Sequence, residues 1–529
     1  MKATRNLSLI AGTVLAVLGA TANLSGQDSK PVAITPAAMP RIATVDQRFQ
    51  SYNIEMVEVT GGRFWKPYSS RADAVAATQP SSNQPAGMDP SLYQYRPPID
   101  LSNARLRKLA AALGPAYLRV SGTWANTTYF QNSDDPAPAN PPKGFNGVLT
   151  RSQWKGVVDF SRAVNAEIVT SFAISSGTRD SAGVWTPDQA GQIVAYTKSI
   201  GGNIAVAEFM NEPNIAELGG APRGYDAAAY ARDVAVFRAF AKQALPSLIF
   251  LGPGAAGEGT LMTPSSMHSL SSADLFTAVG PVFDAVSFHS YGAVSSRCSI
   301  FGAAATTAAD AALSDEWLSR PGRIEAFYSG IRDRFEPGRP LWITETAQAA
   351  CGGDRWASTF LDSFRYLNQL GLSAQRGVQV HMHNTLAASD YGLLDEKTYE
   401  PRPDYWAALL WRRLMGPTVL DPGSSPATNL HLYAQCLPNH RGGVTLLVIN
   451  ASQQASQSLE IPTPSERYIL TAQALQDQHV RLNGVDLQLG ADDSLPELQG
   501  SPGHAGLVTF APASITFLAM PKARNASCQ

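Results

Sequence analysis

Between Tyr52 and Thr385 the chain repeats one pattern: a short apolar run, a polar loop, then a stretch whose apolar residues recur every three or four positions. The short runs are Asn53–Thr60, Ala116–Gly122, Glu167–Ile174, Ile204–Met210, Leu248–Gly252, Ala285–Tyr291, Leu341–Glu345 and Gly377–His383. Each reads as a buried strand, and each intervening stretch as an amphipathic helix. In Asn103 to Leu113, Leu106, Leu109, Ala110 and Leu113 fall on one face, and Gly114-Pro115 ends the helix. Eight strands separated by helices predict an α/β fold, a parallel (β/α)8 TIM barrel rather than an open sheet.

Past the helix-like Asp404–Met415 the pattern shortens. Leu430–Ala434, Val444–Asn450, Tyr468–Ala472, Val480–Leu489 and Leu507–Met520 are strand-like runs separated by Gly, Pro, Ser and Asn clusters. They predict an appended C-terminal β-sandwich. The expected organisation is a signal peptide over 1–22, an N-terminal segment joining the sandwich over 23–50, the barrel over 51–411 and the sandwich over 412–529. The leader reading rests on Lys2 and Arg5, the apolar run Leu9 to Leu18, and the small-x-small site Ala20-Thr21-Ala22. That run is shorter than the ~20 residues of a spanning helix. A secreted or periplasmic protein, free of the membrane after cleavage, is therefore expected. Ala72–Pro90 and Asn132–Pro142 are expected as loops over the barrel mouth.

The composition, 44% hydrophobic and 16% charged with a net charge of −2, gives no electrostatic reason to expect nucleic acid or anionic lipid as a partner. Export makes Cys298, Cys351, Cys436 and Cys528 readable as two disulfides, with three pairings open. His381 and His383 share one strand face but lack a third ligand, so they are read as lining a polar pocket. Neither metal nor cofactor is expected.

The chemistry sits at strand ends. The fourth strand runs into Asn211-Glu212-Pro213-Asn214 and the seventh ends in Glu345-Thr346. Active sites of such barrels lie at the C-terminal ends of the strands, and two carboxylates facing one glycosidic bond are the equipment of a retaining glycosidase. Glu212 is the expected acid/base, a role that burial and a neighbouring carboxylate favour. Glu345 is the expected nucleophile, with the Tyr291 phenol fixing it and Asn211 bonding the sugar 2-hydroxyl. Thr123 and His289 close other strands at the same mouth.

With Gly114-Pro115-Ala116-Tyr117-Leu118-Arg119, Gly122-Thr123, Asn211-Glu212-Pro213-Asn214, Phe288-His289-Ser290-Tyr291, Glu345-Thr346, Gly352-Gly353, Pro403-Asp404-Tyr405-Trp406 and Val480-Arg481-Leu482-Asn483-Gly484, the chain resembles the family-79 glycoside hydrolases, the group of heparanase and the microbial β-glucuronidases. The resemblance implies cleavage of β-linked glucuronic acid with retention, Glu212 as acid/base, Glu345 as nucleophile, and a sandwich disulfide between Cys436 and Cys528. It also implies that Thr123, Asn211 and Tyr391 contact the sugar. Glu55 stands where heparanase has an aspartate and is expected on ring hydroxyls. Gly352 and Gly353 lie in the loop that meets the substrate carboxylate in the family, but here that loop lacks a tyrosine. Asn384 replaces a glutamine, and Ser389-Asp390 replaces a Gly-Asn pair, with Asp390 read as solvent-facing. Cys298 and Cys351 are expected to pair and brace the altered loop. The expected partner is a glucuronide or a glucuronate-containing oligo- or polysaccharide. The alternative is heparanase-like endo-cleavage of a glycosaminoglycan, with Lys143, Arg151, Lys155 and Arg179 as candidate rim cations. Lesser alternatives are another retaining barrel glycosidase or an inactive carbohydrate-binding protein.

Overall fold

Eight strands close into one parallel ring in chain order: β1 Gln50–Glu55, β2 Ala116–Ser121, β3 Ala166–Thr170, β4 Ile204–Glu208, β5 Ile249–Ala256, β6 Ala285–Tyr291, β7 Leu341–Ala347 and β8 Val380–His383. The molecule is described from a computed structural model covering residues 32–68, 89–259, 269–298 and 305–529. The expected leader, and 72–88 of the Ala72–Pro90 loop, lie outside the described residues.

Period-two alternation sorts the barrel into layers. Tyr117, Val169, Val206, Leu251, Ala285, Trp342, Val380 and Met382 form an apolar floor inside the ring. Two residues further along their strands, Arg119, Glu208, Ser287 and Thr344 join in one hydrogen-bonded layer. The opposite strand faces pack against the helices. The expected face Leu106, Leu109, Ala110 and Leu113 is buried there, and the helix Ala104–Ala112 is capped by the Asn103 side chain accepting from the Leu106 N–H at 3.0 Å.

The same parity corrects the reading of His381 and His383. Val380 and Met382 point inward, so the two histidines face the outer layer, where His381 meets Phe49 and His383 meets Tyr366. Burial pushes the His381 imidazole down to about 3, which keeps it neutral. The first strand is also displaced: it ends at Glu55, and Met56–Thr60 is a short helix held by the Glu58 carboxylate accepting from the Glu55 N–H at 2.8 Å.

The C-terminal region is two packed sheets. One runs Arg41–Thr44, Thr418–Leu420, Leu430–Cys436, Val444–Asn450, Ser514–Met520, Ser465–Thr471, Arg481–Leu482, Val485–Asp486, with Ser501–Gly503 also paired to Ser465–Thr471. The other pairs Val32–Ala33, Gln457–Ile461 and Gly506–Phe510. Along Val444–Asn450, Leu446 and Val448 face the second sheet, whereas Leu447 and Ile449 join the barrel's core. Both faces of this strand are covered, so all seven of its residues are buried. Leu507–Met520, expected as one strand, is two, broken at Ala511-Pro512-Ala513, where Ala513 takes a positive φ of 46°. Val480–Leu489 holds only the tight hairpin 481–486. The Asn525 side chain donates to the carbonyls of Pro36 and Met39 at 2.7 and 2.9 Å, tying the two ends of the chain together. Disulfides join Cys436 to Cys528 and Cys298 to Cys351.

Candidate active site

Arg119 organises the mouth of the barrel, because a guanidinium inside a strand ring must be matched by carboxylates to stay charged. It donates to Glu208 at 3.0 Å, to Glu345 at 3.0 Å and to the Asn211 side-chain oxygen at 2.7 Å, and its Nη2 meets His289 Nε2 at 3.2 Å. Burial opposes the charge, but Glu208, Glu345 and Glu55 more than offset it and hold the guanidinium firmly protonated. Glu208 is as buried as Arg119, each at 1% exposure, and accepts from the Ser287 and Thr344 hydroxyls at 2.8 and 2.7 Å. Burial works against its ionisation, yet Arg119 and His289 pull its carboxyl below the usual range.

A β-bulge and a left-handed residue aim the side chains. Phe288 pairs with Ile343 but His289 with Glu345, so β7 carries one extra residue. Thr344 and Glu345 therefore both reach inward, one to Glu208 and one to Arg119. Glu212 sits just past β4 in the left-handed region, φ 50° and ψ 62°, ahead of Pro213. Such a backbone costs a non-glycine residue ~1–3 kcal/mol, and the flanking residues hold it. The Asn126 amide donates to the Asn211 carbonyl and accepts from its N–H, both at 2.9 Å. Asn214 makes the same two-way clamp onto Ala256, at 2.7 and 3.0 Å.

Around this frame the carboxylates converge. His289 Nδ1 lies 2.9 Å from Glu212 Oε1 and 3.7 Å from Glu345 Oε2, and one oxygen of each glutamate and a ring nitrogen lie within 4.8 Å of one another. Burial lowers the imidazole's proton affinity, but Glu345 and the bond to Glu212 outweigh it and raise it above the ordinary histidine value. Since Arg119 donates to Nε2, the network puts the ring proton on Nδ1, directed at Glu212. Two carboxylates and a histidine at this spacing could ligate a cation. The site's positive charge, however, is already supplied by Arg119, in contact with Glu345 and the imidazole.

The Tyr291 hydroxyl donates to Glu345 Oε1 at 2.5 Å. Asn384 Nδ2 reaches Glu55 at 3.1 Å, Tyr291 at 3.2 Å and Tyr391 at 3.3 Å. Glu55 fits here because residue 122 is glycine: a Cβ at Gly122 would stand 1.4 Å from its Oε2. Burial, reinforced by Glu345, raises the Glu55 carboxyl well above the usual range, and its Oε2 has no partner among the described residues. The phenols of Tyr291 and Tyr391 are likewise raised, by burial and nearby carboxylates, so both remain donors.

One network thus unites Glu55, Asn211, Glu212, His289, Tyr291, Glu345, Asn384 and Tyr391. Thr123 opens a short turn after β2, and Gly352 and Gly353 pack on Trp65 and Tyr391; none of the three is hydrogen-bonded to these carboxylates among the described residues. Reasoning from sequence missed Arg119, Glu208 and Asn126 as site residues. A lone charge within each of two strands buried on both faces was the available signal, since each demands an opposite partner.

Asp390 does not face solvent as expected: it is ion-paired with Arg297 and accepts from the Tyr68 N–H at 3.2 Å. Of the expected rim cations, Arg179 is consumed by buried Asp233 at 2.7 Å, Arg151 pairs with Asp134 at 3.3 Å, and Lys155 pairs with Asp159 at 2.5 Å. Lys143 is exposed. Among the described residues no helix is long and apolar enough to cross a membrane.

Comparison with known proteins places this geometry. Residues 97–371 match the model of glycosyl hydrolase family 79, N-terminal domain. Heparanase of Mus musculus is 27% identical over 509 residues, covering 81% of this chain and 88% of that protein. Baicalin-beta-D-glucuronidase of Scutellaria baicalensis is 34% identical over 227 residues, 40% of this chain and 43% of that one. In fold, the chain is similar to a 4-O-alpha-L-rhamnosyl-beta-D-glucuronidase from Fusarium oxysporum, with TM-score 0.61 and 15% identity over 93% of this chain and 99% of that one. With its family signature running from ahead of β2 to the helix past β7, the chain belongs to glycosyl hydrolase family 79 and is a glycoside hydrolase.

Proposed function

We propose that the protein is a retaining β-glucuronidase, exported from the cell, that removes glucuronic acid from glucuronides or short glucuronate-containing chains. The observation that carries the mechanism is the approach of Glu212 and Glu345 oxygens to within 4.8 Å. Retaining enzymes keep their carboxyl groups about 5–5.5 Å apart, and inverting ones about 6.5–9.5 Å. Glu345, held by Arg119 and Tyr291, attacks the anomeric carbon. Glu212 gives its proton to the departing glycosidic oxygen. Because His289 occupies Oε1 of Glu212, the proton leaves from Oε2. Water then releases the glycosyl ester, giving its proton back to Glu212 as the hydroxyl joins the anomeric carbon. Arg119 holds the oxygen of the Asn211 amide and so turns its NH2 toward the sugar 2-hydroxyl.

Uronate recognition is supported by the strap Cys351–Gly353. Gly352 and Gly353 are buried, Gly352 against Trp65 and Gly353 against Tyr391, and their N–H groups have no hydrogen-bond partner among the described residues. A carboxylate satisfies such donors, and a neutral hydroxymethyl group does so less well. The pairing of Arg151, Lys155 and Arg179 with acids favours this reading over endo-cleavage of a sulfated polymer. Export is supported by the leader-like sequence together with two disulfides.

The test compares p-nitrophenyl β-glucuronide, β-glucoside and β-xyloside, with the anomer of the first product followed by NMR. Glucuronide preference and initial β-product are expected. An initial α-product would remove the retaining assignment, as would wild-type turnover by Glu345→Ala. Glu212→Gln is expected to lose more activity on poor leaving groups than on activated aryl ones.

A further inference from the structure

The strap that offers those two amides is itself unusual: Cys351, Gly352 and Gly353 are three successive left-handed residues, at φ 64°, 83° and 82°. A Cβ on Gly352 would meet Trp65 Cβ at 2.5 Å, and one on Gly353 would meet Ala357 at 2.9 Å and Tyr391 at 3.1 Å, so the close fit requires both glycines. The strap belongs to no helix or strand, so something else must hold it.

Its carbonyls are pinned on two sides. Gly352 O accepts from the Asp390 N–H at 3.1 Å and the Ser389 hydroxyl at 3.0 Å. A trans peptide is planar, so fixing that carbonyl points the Gly353 N–H the opposite way, away from the 389–390 loop. Gly353 O accepts from Ser295 at 2.8 Å and from Arg297 at 3.1 Å, while the N–H of the same peptide unit, on Asp354, donates to Gln348 at 2.8 Å. Arg297 is the hub: 8% exposed, it also donates to the Lys66 carbonyl and to Asp390, and stacks on Tyr68 at 4.0 Å. The next residue, Cys298, is bonded to Cys351 at the head of the strap.

We propose that Arg297 and the Cys298–Cys351 disulfide are positioning elements for uronate specificity: they hold the left-handed strap so that its glycine amides face the substrate carboxylate. The pair Arg297–Asp390 is neutral as a unit, so Arg297 acts by bracing peptides and not by offering charge to the substrate. Removing the brace frees the strap to relax, and only substrates carrying a carboxylate lose by it. The inference rests on the glucuronate reading above, and the assay separates the two.

Rates on p-nitrophenyl β-glucuronide and β-glucoside are compared for wild type, Arg297→Lys, Arg297→Met, Arg297→Met/Asp390→Asn and Cys298→Ser/Cys351→Ser. The glucuronide kcat/KM is expected to fall about 10- to 100-fold, mostly through KM, in line with one or two lost charge-assisted hydrogen bonds. Glucoside turnover is expected to stay within about threefold, with Arg297→Lys the mildest variant. A wild-type enzyme without glucuronide preference overturns the glucuronate reading itself. Wild-type preference that survives in the variants overturns this proposal alone, as does an equal loss on both substrates. If Arg297→Met/Asp390→Asn regains the glucuronide rate that Arg297→Met has lost, the Asp390 charge and not the brace is responsible. Should the arginine variants fail to fold, the cysteine double variant decides by the same ratio.

Discussion

Replacing Tyr291 by Phe removes one hydroxyl and tests what holds Glu345. The hydroxyl donates to Glu345 Oε1 at 2.5 Å, while Oε2 stays with Arg119 at 3.0 Å. Asn384 keeps Glu55 and Tyr391, so the truncation leaves only Oε1 short of a partner in a residue that is 7% exposed. One hydrogen bond to a charged group contributes ~1.5–3 kcal/mol, or about 10- to 150-fold in rate. In the proposed mechanism the second chemical step should bear the loss, because there Glu345 would depart as an anion and the phenol would stabilise the returning charge. With p-nitrophenyl β-glucuronide, kcat is therefore expected to drop by that factor with a parallel fall in KM, and stopped-flow should show a burst of p-nitrophenol. An unchanged kcat, or a loss that raises KM with no burst, would refute the reasoning and make Tyr291 a substrate-binding group only.

Two further outcomes follow. Asn126→Ala unpairs the buried N–H and carbonyl of Asn211 beside Glu212, the proposed acid/base, so urea unfolding should show a loss of about 2–4 kcal/mol and kcat should fall with it. Glu325, far from the mouth, is pushed up to about 7 by burial, against the Ser373 hydroxyl and Arg376 that favour its charge. A carboxyl raised in the folded state binds its proton more tightly than the unfolded chain does. Its stabilisation is complete below about 4.5 and is lost as pH climbs through about 7. Melting curves at pH 5 and pH 8 should differ by up to about 3 kcal/mol from this group, and Glu325→Gln should flatten that interval.

The barrel was legible because eight apolar runs alternate with 3.6-period stretches, and β6 has the bounds its sequence predicts, Ala285–Tyr291. The first strand misled because Val57, Val59 and Thr60 favour strands, whereas the turn is set by the Glu58 side chain bonding back to Glu55. Gln457–Ile461 escaped notice because its first half is polar and only Leu459 and Ile461 enter the sandwich core. At the site, residues that end strands announced themselves, and those that act from within strands did not. Arg119 reads as one cation in an apolar run until Glu208 is known to lie beside it. His381 and His383 were misplaced by one position of register, which in a strand exchanges inside for outside. The Asn-x-Ser/Thr sequences at Asn126, Asn450 and Asn525 carry side chains buried to within 2% and committed to backbone, so none is open to a glycan in the folded protein.

The tie between Asn525 and Pro36 spans 489 residues, and it fixes an order of events on the ribosome. The barrel's strands are neighbours in sequence and can associate as they emerge. The stretch 32–44 cannot: its partners Thr418–Leu420, Gln457–Ile461 and Asn525 follow only after the whole barrel has been made. That stretch waits, unpaired, for the sandwich, so a lesion at Asn525 is felt at the far end of the described chain.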